Sequence, residues 1–275
     1  MLSSAQIQAF HSDGYLLLSE LFSAAEMDEL KQAAAKIVDD FDANSTRSVF
    51  STREQDKNRD DYFLGSADKV RCFFEEDAFD AQGQLKQAKS LSINKIGHAL
   101  HTLDPVFKRF SHGDKIGQIA RQLGLSEPLI HQSMYIFKQP KIGGVIRWHQ
   151  DASYFFTDPL TVTTFWFAIE DATILNGCLQ LQPGAHRSPL REQFIREEND
   201  NTYLQKLDDT PWPGDEQAIP LEVKKGSLVV FHGLLPHFSA PNVSDTSRHA
   251  YTLHVTCGTS AYAKENWLQA PASKL

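Results

Sequence analysis

A change of hydrophobic period at Gly124 constrains the fold more than any other feature of the sequence. Before it, apolar residues recur at three- and four-residue steps. After it, short apolar runs alternate with Gly, Pro and Asn turns. Two helix starts are legible in the first part, where Ser3 precedes Gln6 and Ser23 precedes Glu26, each pair spaced for reciprocal capping. The second helix is expected to run through Phe41. Asp13-Gly14 ends the first helix, and Tyr15–Leu18 follows as a short strand. Further helix is expected over Asn94–Phe110 and Asp114–Leu123. The later part reads as strands at His131–Phe137, Thr161–Ile169, Leu179–Gln182, Ser227–Phe231 and His249–Thr256, with a hairpin signal at Asn176-Gly177. Helices first and many strands later describe an α+β chain whose catalytic half is a jelly-roll barrel of the double-stranded β-helix kind, read as one domain over residues 1–275.

Composition narrows the partners. A net charge of −8 opposes a nucleic acid, whose phosphates demand clustered Lys and Arg. A small-molecule substrate fits better. The 41% hydrophobic content supports a sizeable core, yet no apolar run approaches the roughly 20 residues of a membrane helix. Three scattered cysteines, Cys72, Cys178 and Cys257, suit a reducing compartment. Ser273-Lys274-Leu275 spells the tripeptide read for peroxisomal import, which gives a peroxisomal expectation in a eukaryote and a cytoplasmic one in a bacterium.

Chemistry concentrates at four positions. On an extended segment His149 and Asp151 project to one face and can converge on one ion. A third ligand is offered by His237, just beyond the strand ending at Phe231, in competition with His186, His232, His249 and His254. Two histidines and one carboxylate on one face of an octahedral Fe(II) leave three positions open, the facial triad. Arg248 opens the last long strand and shares a face with Ala250, Thr252 and His254. Its guanidinium fork suits the far carboxylate of an oxodicarboxylate.

The order His149-x-Asp151, His237, Arg248 resembles the phytanoyl-CoA dioxygenase family. The likeness runs from Asp13-Gly14-Tyr15 to Glu265-Asn266-Trp267-Leu268-Gln269 and includes the stretches 92–100, 132–140, 149–153, 170–173 and 176–178. It implies a double-stranded β-helix that uses Fe(II), 2-oxoglutarate and O2, with ascorbate as an outside reductant and succinate and CO2 as co-products. It further implies His149, Asp151 and His237 as iron ligands, Arg248 as the partner of the distal carboxylate, and Lys95, Met134 and Trp166 as walls of the oxoglutarate pocket. Asp151 argues against halogenation, since related halogenases carry a small residue there. Two rival readings use the same ligands: a metal-binding barrel without turnover, and a zinc hydrolase, which has no need of Arg248. The polar stretch from Ala43 to Asp61 reads as a lid, and its Arg47, Arg53, Lys57 and Arg59 could meet the phosphates of a CoA thioester.

Overall fold

The computed structural model describes residues 1–50 and 60–275. Arg53, Lys57 and Arg59 lie outside the described residues, and so does the centre of the expected lid. Both capping boxes form: Ser3 and Gln6 start the helix Ser4–Asp13, Ser23 and Glu26 start Ala24–Asp40. Gly14, at φ +80°, closes the first helix by donating its N–H to Phe10 and turns the chain straight into the strand Tyr15–Leu18. The second helix buries Met27, Leu30, Ala34 and Val38, one stripe at helical spacing.

Two antiparallel sheets form the barrel. The larger runs in the order Tyr15–Leu18, Leu228–His232, Thr163–Ala168, Ala250–Cys257, Pro128–Ile136, Ile93–His98, Val70–Phe74, and Ser273–Lys274 adds to the Pro128 end. The smaller runs Ile219–Leu221, Leu179–Leu181, His237–Ser239, Ile146–His149. Period two divides the large sheet into two faces. Phe165, Phe167, Val230, Leu253 and Val255 pack on one side in a cluster that includes Met27, Leu30, Ile116 and Ile119 of the helices. Trp166, Ala168, Val229 and Phe231 pack on the other side with Leu179, Leu181 and Leu221 of the small sheet. This is the expected α+β double-stranded β-helix flanked by N-terminal helices. None of the described helices is long and apolar enough to cross a membrane.

Two local expectations are corrected. Residues 94–110 are not one helix: Ile93–His98 is a strand between two neighbours, followed by the short helices Leu100–Leu103 and Pro105–Ser111. Every residue of that strand is buried, so no alternation marks it. Asn176-Gly177 forms a turn, with Gly177 at φ +80°, but joins no hairpin. It carries the chain from Thr163–Ala168 in the large sheet to Leu179–Leu181 in the small one.

Candidate metal and oxoacid site

His149 ends the strand Ile146–His149, and His237 begins the neighbouring strand, directly opposite it in register. Their rings therefore meet, with centroids 4.1 Å apart. Asp151 is not on the strand, as period two would have it, but opens the 3-10 turn Asp151–Ser153. The turn swings its carboxylate back to the two imidazoles. His149 Nε2 lies 3.4 Å and His237 Nε2 3.7 Å from Asp151 Oδ1. Among the described residues, these three form the group whose ligand atoms all lie within 4.8 Å of one another. Neighbouring ligands on a first-row ion at roughly 2.1 Å stand about 3 Å apart, so the set fits one ion with little adjustment.

The chain around each of these three candidate ligands orients it. His149 Nδ1 donates to the Arg147 carbonyl at 2.8 Å and His237 Nδ1 to that of Leu235 at 2.9 Å, each two residues back. That fixes the tautomer and turns the Nε2 lone pairs inward. Burial, helped by His149, pushes His237 down to about 4, so its ring is neutral at physiological pH and ready to ligate. Burial alone would raise Asp151, but His237, His149 and His254 outweigh it and hold the carboxyl well below its usual range. Between the ligands, the fully buried Gln150 donates to the Pro189 and Leu234 carbonyls and accepts from the Arg191 N–H. It ties the first ligand segment to the turn that leads into His237.

Arg248, 1% exposed, lines the same cavity. Its Nε donates to the Gly177 carbonyl at 3.2 Å and its Nη2 to Ser239 Oγ at 3.5 Å. Nη1 is buried without a hydrogen-bond partner among the described residues. A buried cation with an unanswered donor fits a ligand carboxylate. Burial pushes Arg248 down to about 10, which leaves it cationic at neutral pH. Nearby Lys138 is buried as well, with Nζ donating to the Gly144 carbonyl at 2.6 Å, and burial followed by Arg248 pushes it well down. The turn at Asn176-Gly177 thus does more than connect sheets. A Cβ at Gly177 would meet the Ala240 carbonyl at 2.6 Å and Lys138 Cε at 2.7 Å, so only glycine brings that backbone under the guanidinium.

All seven residues singled out in the sequence line one cavity of about 140 Å³. Trp166 and Met134 flank Thr252 in register, and the Arg248 Cζ lies 5.5 Å from the Trp166 ring. Lys95 is a buried strand residue, its Nζ 3.8 Å from Met134 Sδ and 2.9 Å from the Phe50 ring centroid. The competing histidines separate. His186 and His232 face each other 5.5 Å apart outside the cavity lining, and His249 meets the Tyr135 hydroxyl at 2.9 Å. His254 does line the cavity, 3.6 Å from Asp151 Oδ2. Thr164, Ser239 and Gln150 are site residues that the sequence reading did not single out, whereas His254 stood in it as a rival for the third metal position. The face that Thr164 shares with Trp166 carried the signal for one of them.

A family model described as phytanoyl-CoA dioxygenase (PhyH) matches residues 10–250. A phytanoyl-CoA dioxygenase of Arabidopsis thaliana is 46% identical over 271 residues, 98% of this chain and 94% of its own length. Phytanoyl-CoA dioxygenase domain-containing protein 1 of Rattus norvegicus is 43% identical, covering 100% of this chain and 97% of the relative. Among solved structures, EctD from S. alaskensis with 2-oxoglutarate and 5-hydroxyectoine superposes with a TM-score of 0.65 at 22% identity, over 96% of this chain and 79% of that one. The non-heme alpha ketoglutarate dependent carbocyclase SnoK superposes at 0.67 and 18% identity, over 100% and 93%, and shares the fold. With its sequence matched across nearly its whole length, the chain belongs to the phytanoyl-CoA dioxygenase family.

Proposed function

We propose that this protein is an Fe(II)- and 2-oxoglutarate-dependent dioxygenase, folded as one domain, that hydroxylates a small organic or acyl substrate. One observation carries the reading. Two Nε2 atoms and a carboxylate oxygen converge in the same cavity as a buried arginine that has an unanswered N–H. When bound, metal and oxoacid supply the oxidant for C–H hydroxylation from O2, with succinate and CO2 released. His149, Asp151 and His237 hold the metal. Arg248 orients the distal carboxylate, with Ser239 beside it and with Lys95, Met134 and Trp166 as walls. Phe63, Tyr154, Phe155, Phe194 and Trp267, which also line the cavity, exclude water and receive an apolar part of the substrate.

The test is oxoacid turnover. Protein supplied with Fe(II), ascorbate and 2-oxoglutarate under O2 is expected to release succinate slowly without substrate and faster with the right one, giving a product heavier by one oxygen atom. His149→Ala is the control. Iron-loaded protein that yields no succinate above that control would instead be a binding module, and activity indifferent to O2 and oxoacid would point to hydrolysis.

A further inference from the structure

We propose that Thr164 and His254 are positioning residues that keep Asp151 a one-oxygen ligand, so that the metal retains a third open position beside the two that a chelating 2-oxoglutarate takes. The inference rests on the function proposed above. The two carboxylate oxygens of Asp151 face opposite ways. Oδ1 is the oxygen near His149 and His237, whereas Oδ2 accepts the Thr164 hydroxyl and lies 3.6 Å from His254 Nε2. Thr164 and His254 stand opposite each other on adjacent strands, 1% and 3% exposed, so both approach the carboxylate from the large sheet. A β-branched side chain has few χ1 choices, which holds the Thr164 oxygen in its aim. The His254 ring stacks on Phe155, centroids 4.5 Å apart and 21° between planes. Its Nδ1 is buried without a hydrogen-bond partner among the described residues, which leaves the Nε2 edge facing Asp151 as its polar side.

The consequence is a matter of counting positions. An octahedral ion with two imidazoles and one carboxylate oxygen keeps three open places, two for a chelating oxoacid and one for O2. A carboxylate that bound through both oxygens would leave only two. Hydrogen bonding to Oδ2 withdraws that oxygen from competition. An ordinary outer partner, acting only through ligand basicity or packing, would make the affinity for metal fall together with that for a ligand at the third position. The proposed role separates them.

The full chain and its Thr164→Val, Thr164→Ser and His254→Phe variants are titrated calorimetrically with Co(II), the Co(II) forms then with 2-oxoglutarate, and the resulting complexes with azide, a small anion that needs one open position. Thr164→Val is expected to hold Co(II) and 2-oxoglutarate within about threefold of the parent while the azide affinity of the complex drops tenfold or more, with Thr164→Ser at the parental value. His254→Phe, which keeps the ring stack, is expected to show the same split and decides the question alone if Thr164→Val does not fold. Undiminished azide affinity in the variants, a parallel loss of metal and azide affinity, or a parent complex that takes up no azide overturns the role. A parent that binds no Co(II), or binds 2-oxoglutarate indifferently to it, overturns the function proposed above instead.

Discussion

Arg248 shows how much a single side chain can settle. Burying a guanidinium is costly, and here it is answered on Nε and Nη2 by Gly177 and Ser239 but left open on Nη1. Truncation to Arg248→Met is expected to weaken 2-oxoglutarate by about 3 kcal/mol, roughly a hundredfold in Kd, while Co(II) affinity stays parental. Arg248→Lys should fall between, because an ammonium restores the charge but not the fork. Calorimetric titration of the metal-loaded variants reads both. Gln150 is the other residue whose loss is informative, because three hydrogen bonds converge on one buried amide between His149 and Asp151. Gln150→Ala should destabilise the protein by about 2 kcal/mol in urea melts and weaken Co(II) binding as well, since it frees the segments carrying the imidazoles.

Among the elements, the legible ones were those with a periodic signal and a local stop. The helices at Ser4–Asp13 and Ala24–Asp40 announce themselves through Ser-x-x-Gln and Ser-x-x-Glu, and Ser23→Ala is expected to cost about 1 kcal/mol in a thermal melt. The strands Thr163–Ala168 and Ala250–Cys257 each show one face to the helices and one to the cavity, so period two grouped Trp166 with Thr164, and Arg248 with Thr252 and His254, while family likeness said which of those residues meet the pocket. Ile93–His98 was misread because its burial is continuous, so Lys95 reached the pocket through family likeness rather than periodicity. Asn176-Gly177 carries hairpin chemistry, yet local residues do not say which sheet the next strand joins. The meeting of His149 with His237 is of the same non-local kind. Each imidazole was visible as a candidate, but the register that sets them opposite is written in the pairing of distant strands.

For the whole molecule, buried neutral histidines govern the response to acid. Burial pushes His101 to about 3 and His131 and His232 to about 4. Unfolding frees them to protonate near pH 6.5, so their contribution is whole above that pH and is lost as the pH falls toward 4. Glu75, raised by burial, works the other way, while His237 and His249, each pushed down to about 4, add to the imidazole side. The melting temperature of the metal-free protein is therefore expected to drop from pH 7 to pH 5, as differential scanning calorimetry would record. Arg248 adds a different dependence, since its buried guanidinium lines the cavity with an N–H that no described residue answers. A dianion entering there acts as its counterion. At a hundred times its Kd it would add about 2.7 kcal/mol to the folded state. Cellular oxoacid supply would then set how long the protein survives as well as how fast it turns over.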